Sequence, residues 1–188
     1  MIELLNGWIF ELLYGTKVKV KVTEVLSKQP EMPLRFEELK MDHKDCLYAF
    51  LNRQIDEDLL YFKPHGFDEK SLIRQLNNPA FLMMGVFDGA NLIGYFFLRF
   101  FINGKCFVGR LLDKDFRGKG IGSIMNSIMY NIAWQLNFRC LSTISRNNTA
   151  VMRAHKHNIN MIVLKNLKND FLLVEFVKNS RAKKLQDK

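Results

Sequence analysis

Between Leu111 and Gly122 the chain reads Leu-Leu-Asp-Lys-Asp-Phe-Arg-Gly-Lys-Gly-Ile-Gly. Gly118, Gly120 and Gly122 leave the backbone bare over one tight turn, and Arg117 and Lys119 add positive charge to it. An apolar run precedes the turn and a helical pattern follows it, so the turn stands where a helix begins. First-turn amides have no intrahelical acceptor, and the helix dipole is positive at that end. Both effects favour an anion, and the chemistry on offer is capture of a diphosphate by backbone N–H groups. The plain alternative is a turn that merely ends a strand and opens a helix. Three glycines, two cations and an Asp-Lys-Asp-Phe lead-in occurring together weigh against it.

Two familiar phosphate patterns do not fit. The ATPase loop needs two glycines five apart followed by Lys-Ser/Thr, and the dinucleotide fingerprint needs G-x-G-x-x-G after a first parallel strand. Here the spacing is G-x-G-x-G after a run of hairpin signals. Proton-handling candidates are fewer. Glu57 and His65 flank or join the aromatic segment Tyr61-Phe-Lys-Pro-His-Gly-Phe67. A histidine held beside a proline and between aromatic rings can titrate near neutrality; the plainer reading is a loop imidazole packed on Phe62 or Phe67. Cys46, Cys106 and Cys140 are odd in number and widely spaced, which suggests neither a disulfide framework nor a zinc site.

These residues need elements to position them. Ile2, Leu5, Ile9, Leu12 and Leu13 recur at helical spacing, with Gly15 as a stop, and Lys17-Val-Lys-Val-Lys-Val22 alternates as a strand over about 17–26. Residues 1–30 therefore read as a helix–strand extension, packed on the main body or on a second subunit. From 31 to 178 the pattern is a mixed α+β domain. A short strand is expected at 34–36, and helices near 42–54 and 68–77, the second opened by Asp68. Strands at 80–87, 91–101 and 105–112 are joined by Asp88-Gly-Ala90 and Asn103-Gly104, which predicts an antiparallel meander. Ile121, Met125, Ile128, Ile132 and Leu136 then mark a long helix. A strand at 139–144, a helix from 149 to 157 and a strand at 171–177 close the domain. The basic residues 179–188 read as a frayed tail.

At 188 residues the chain is long enough for one domain with its own core. Hydrophobic residues at 48% and charged residues at 25% exclude both a disordered chain and a membrane bundle. The segment from Met1 to Tyr14 is too short to span a bilayer and has no basic head, so the expected location is the cytoplasm. A formal charge of +9 attracts RNA and phosphate-bearing cofactors alike, so charge alone does not argue for nucleic acid. The phenylalanines at 96, 97, 100, 101 and 107 read as core rather than as base-stacking platforms.

The run Arg117-Gly-Lys-Gly-Ile-Gly122 resembles the Arg/Gln-x-x-Gly-x-Gly/Ala motif of the GNAT superfamily, the acetyl-CoA-dependent N-acyltransferases, with Leu112 at the family's strand position five before the arginine. A weaker likeness follows: Asn147 and Ala150 keep the Asn-x-x-Ala start of the next helix, while Ala154 stands at the family's tyrosine and Asn158-Ile159 at its Gly-Phe. The Phe62-to-Phe67 segment is similar to one in members that act on surface-polysaccharide amino sugars. The resemblance implies a mostly antiparallel sheet flanked by helices and splayed at an acetyl-CoA site. It implies that Leu111, Leu112, residues Arg117 to Ser123 (Arg117, Gly118, Lys119, Gly120, Ile121, Gly122, Ser123) and Asn147 hold the cosubstrate, with no metal. The Leu112 N–H would polarise the thioester carbonyl. Glu57 and His65 are the candidates for deprotonating an amine, and His157 is a weak candidate for protonating the thiolate. The implied acceptor is a small amine or amino-sugar nucleotide, the chain a homodimer candidate. The alternatives are a protein or peptide acceptor, or a module that binds acyl-CoA without turning it over.

Overall fold

A computed structural model describes residues 2–155 and 160–178. The elements run α1 (Ile2–Leu26), β1 (Leu34–Glu38), α2 (Lys44–Asn52), α3 (Asp56–Leu59), α4 (Glu69–Leu76), β2 (Phe81–Asp88), β3 (Asn91–Phe101), β4 (Lys105–Leu112), α5 (Ile121–Gln135), β5 (Arg139–Ser145), α6 (Thr149–His155), β6 (Met161–Asn166) and β7 (Phe171–Phe176). They form one seven-stranded sheet in the order β1-β2-β3-β4-β5-β7-β6. Every neighbouring pair is antiparallel except β4–β5. This is the mixed α+β fold that the sequence implies, and the turns at Asp88–Ala90 and Asn103–Gly104 close the expected meander.

Each face of the sheet carries its own core. Alternate residues of β4 sort cleanly: Cys106, Val108 and Leu112 pack with Phe10, Ile121, Met125 and Ile128, under α1 and α5. Leu111 points the other way and packs with Leu47, Phe50, Leu72 and Tyr95, under α2 and α4. Period-two alternation along the strand places these side chains on opposite faces. Asp68 caps α4 as expected, accepting from the Ser71 amide at 2.9 Å.

The amino-terminal segment corrects the sequence reading. Residues 17–26 form no strand; α1 runs unbroken through Gly15 to Leu26. Val18 and Val22 fit either period, Val25 joins them only in a helix, and burial against the sheet selects the helix: all three are buried while Val20 is exposed. The Lys21–Glu24 ion pair at 2.7 Å adds local support. Tertiary contact overrides the β-propensity of an alternating Lys-Val run. Phe10 stacks on Phe100 at 4.8 Å, and Tyr14 meets Phe138 edge-on at 5.0 Å. Asn6 donates to the Phe100 carbonyl and accepts from the Ile102 amide, so α1 is stitched to the end of β3.

Two elements were absent from the sequence reading. Strand β6 pairs with β7 across the polar turn at 166–170, where Asn169 and Asp170 take positive φ. Helix α3 is a single turn at Asp56–Leu59. The expected helix at 149–157 is described to His155; His157 and Asn158-Ile159 lie outside the described residues, as does the 179–188 tail. Among the described residues no helix is long and apolar enough to cross a membrane.

Candidate functional site

The one parallel strand pair opens into a gap. β4 and β5 pair only at Lys105–Arg139, Cys106–Cys140 and Phe107–Leu141. Both strands continue, β4 to Leu112 and β5 to Ser145, without pairing further. At the fork Ser142 Oγ donates to the Val108 carbonyl at 2.9 Å, so a side chain bridges where the ladder ends. Because the strands are parallel, the residues after Leu112 and the residues after Ser145 emerge at the same end of the gap.

Backbone alternation fixes what faces it. The Asp113 amide donates to the Ile93 carbonyl of β3 at 2.9 Å. N–H groups of successive strand residues point to opposite sides, so the Leu112 N–H is turned away from β3, toward β5, where pairing has stopped. The Leu112 carbonyl lies on that side too, and accepts from Arg117 Nε at 3.0 Å.

The glycine turn closes the mouth of the gap. After a 3-10 turn at Lys114–Phe116 the backbone takes positive φ at Gly118 and again at Gly120, the N-cap of α5. A Cβ at Gly118 or Gly120 would find nothing within 4 Å, so the outer side of the turn is open. The first backbone donors of the helix that find carbonyls are Ser123 and Ile124, both on Gly120. The N–H groups of 118–122 have no partner among the described residues. Five successive amide donors at the positive end of a four-turn helix suit a diphosphate.

Basic side chains are arranged differently from the sequence expectation. Arg117 is not free: its guanidinium is 2.7 Å from Asp58. Lys119 lies over the Phe116 ring at 5.0 Å. Arg110, on β4, reaches α5 instead and donates to Asn126 Oδ1 at 2.8 Å. A Cβ at Gly122 would stand 2.9 Å from its guanidinium, so the bare backbone there lets this flexible group lie against the turn. Burial, with repulsion from Arg117, lowers the Arg110 pKa from its ordinary value. The cation facing the first turn of α5 is therefore Arg110, whose side chain the sequence reading gave no part in the anion site.

A latch also escaped the sequence. Asp113 accepts from Arg53 at 2.6 Å and from Gln54 at 2.6 Å. Together with Arg117–Asp58, these bonds fasten segment 53–58 to the turn that leads into α5. The partners are about sixty residues apart, and only the Asp-Lys-Asp-Phe wording hinted that this turn was specialised.

The remaining candidates lie as follows. Asn147 is exposed two residues beyond β5, its amide donating to Ser145 Oγ at 3.2 Å. Glu57 is exposed on α3, and its neighbour Asp58 reaches the loop. His65 sits half-buried among Phe67, Phe81 and Tyr95. Its Nδ1 is 2.7 Å from the Gly66 carbonyl and its Nε2 is 2.9 Å from the Tyr95 hydroxyl. A carbonyl only accepts, so Nδ1 carries the proton and the neutral ring takes the Tyr95 O–H at Nε2. Burial lowers the His65 pKa, which favours that neutral form, and burial raises the Tyr95 pKa. Tyr95 is the register partner of Leu111, so the pair adjoins the gap strand. Ala154 is exposed on α6.

His155 on the same helix is buried against Phe176, and burial, reinforced by Arg110, depresses its pKa to about 4. The unfolded chain therefore takes up the proton first. Stability is complete above the ordinary imidazole value and falls as pH drops from about 6.5 through about 4, by about 3 kcal/mol. Denaturant melts at stepped pH are expected to show this loss, and His155→Gln is expected to flatten that part of the profile. An unchanged profile in the variant would refute the assignment.

No protein-family model matches the chain, and no curated protein sequence matches it. Solved structures do. The GNAT domain of S. lividans PAT superposes with a TM-score of 0.66 at 14% identity, covering 76% of this chain and 89% of that one. The PaiA N-acetyltransferase of Thermoplasma acidophilum, solved in complex with coenzyme A, gives 0.64 at 16% identity, over 78% of this chain and 100% of the other. The ribosomal-protein-S18-alanine N-acetyltransferase of Escherichia coli gives 0.59 at 8% identity, over 77% and 95%. The chain has the fold of the GNAT acetyltransferases.

Proposed function

We propose that the chain is an acetyl-CoA-dependent N-acetyltransferase that moves the acyl group directly to an amine. The observation that carries this reading is the set of unpartnered amides at 118–122, opening α5 at the mouth of the β4–β5 gap. Their open outer side fits the diphosphate of coenzyme A, and the unpaired strand edges beyond Phe107 and Leu141 fit the amides of its pantetheine arm. Residues Arg117 to Ser123 form the diphosphate turn, Leu111 and Leu112 line the arm's entry, and Asn147 stands across the mouth. When bound, the cosubstrate supplies a thioester as acyl donor. The Leu112 N–H is aimed into the gap and is the donor for the thioester carbonyl.

An amine must lose a proton to act as a nucleophile. Of the two candidates, His65 is hydrogen-bonded to a residue paired with β4, whereas Glu57 is exposed on α3. We therefore assign the proton to His65 Nε2 by relay: the ring takes the Tyr95 hydroxyl proton while that oxygen takes the proton of the amine. His65→Gln is expected to lower kcat by about 100-fold or more while leaving acetyl-CoA affinity unchanged. An unaltered kcat would leave His65 a packing residue.

The favoured acceptor is a small amine or amino-sugar nucleotide, from the Phe62-to-Phe67 segment beside the gap. Coenzyme A release, measured with a panel of amino-sugar nucleotides, polyamines and peptide amino termini, tests this. Turnover with an amino-sugar nucleotide supports it, and turnover only with peptides replaces the acceptor. One observation favours a second reading: Ala154 leaves no ionisable group where relatives have a tyrosine. Acetyl-CoA binding without turnover on any amine would establish a binding module instead.

A further inference from the structure

We propose that the outward face of α1 is a dimer interface whose partner is a second copy of this chain, the two helices packing antiparallel about a two-fold axis beside Trp8 and Ile9. The first half of α1 is apolar on both sides. Its inner side is already seated by Phe10, by the two Asn6 bonds and by the Glu3–Arg99 ion pair at 3.2 Å. The outer side is not a core face awaiting the sheet, yet it presents Leu4 at 65%, Leu5 at 61%, Trp8 at 79%, Leu12 at 85% and Leu13 at 53% exposure. A helix apolar all round is normally covered.

The spacing is self-complementary. Leu5, Trp8 and Leu12 form one stripe at intervals of three and four, flanked by Leu4 and Leu13. Laid antiparallel on a copy of itself and centred between Trp8 and Ile9, the stripe sets Leu5 opposite Leu12 and Trp8 beside its own copy at the axis, with Leu4 and Leu13 along the two edges. Two-fold symmetry repeats the Leu5–Leu12 pair, as an isologous contact requires. The five side chains expose roughly 600 Å² per copy, so a symmetric pair buries roughly 1,200 Å², the lower bound for a stable protein interface. The patch also continues past the helix. Leu5 borders a hollow of about 470 Å³ lined by Ala80, Phe100 and Ile102, and Ile102 is 49% exposed.

Charge selects protein over lipid. A helix lying on a membrane carries Lys and Arg along its polar face. The first sixteen residues here hold Glu3 and Glu11 and no basic residue. The lysines at 17, 19 and 21 lie beyond the stripe.

Sedimentation velocity of the full chain from about 1 to about 100 μM tests the proposal, since this range brackets micromolar dimers. The wild-type chain is expected to sediment as a dimer. The double variant Trp8→Glu/Leu12→Glu is expected to sediment as a monomer, its dissociation constant raised more than 100-fold, with an unchanged circular dichroism spectrum. Should that variant not fold, Trp134→Phe leaves Trp8 as the one remaining tryptophan. Its emission is then expected to move to longer wavelength on dilution, as the dimer parts. A wild-type chain that stays monomeric throughout overturns the proposal, as does a double variant that stays dimeric. So does a monomer that co-sediments with phosphatidylcholine–phosphatidylserine vesicles through Trp8, which would make lipid the occupant.

Discussion

Gly120→Asp is expected to weaken acetyl-CoA binding by about 100-fold or more, a loss of about 2.7 kcal/mol, while the chain still folds. Gly120 has φ +82° and is the N-cap of α5. A side chain there costs about 1–2 kcal/mol of backbone strain, tolerable for a domain of this size. No atom lies within 4 Å of the new Cβ, so packing is undisturbed. The added carboxylate stands beside the first-turn donors, competes for them and repels an incoming diphosphate. Gly120→Ala separates the two effects, carrying the strain without the charge, and is expected to lose far less affinity. Calorimetry reads both. Undiminished affinity in Gly120→Asp would remove the turn from the site and the enzyme reading with it.

Phe10→Ala is expected to cost about 3–5 kcal/mol, the range for emptying a buried aromatic site. Phe10 is fully buried, stacked between Tyr14 and Phe100 and touching Phe138 edge-on. For a domain of this length that lowers the melting midpoint by about 10 °C. The change is far from the glycine turn, so acetyl-CoA affinity of the folded variant is expected to hold. A midpoint within a degree or two of wild type would show that α1 is an appendage rather than part of the core.

What could be read from the sequence was local. The bounds of β3 and β4 follow from alternation broken by Asp-Gly and Asn-Gly, and α5 from its buried stripe. The place of the glycine turn at a helix start was legible because glycines followed by a helical stripe need no distant partner. The missing parts depend on contacts that sequence spacing does not carry. Val18, Val20 and Val22 suit a strand or a helix, and only the sheet beneath them decides. Strand β6 exposes Val163 and Leu164, so no burial period marked it. Pairing of His65 with Tyr95, and of Arg53 and Gln54 with Asp113, joins residues thirty to sixty positions apart. Arg117 shows the limit from the other side: its charge was legible, its neutralisation by Asp58 was not.

On the proposed function, the fastening of residues 53–58 to the turn before α5 bears on how donor and acceptor would share the molecule. Arg53–Asp113 and Arg117–Asp58 join the glycine turn to the segment that leads into the aromatic loop, so a shift of one is resisted by the other. Occupancy on one side would then be felt as stiffness on the other, and by thermodynamic reciprocity the influence would run equally in both directions.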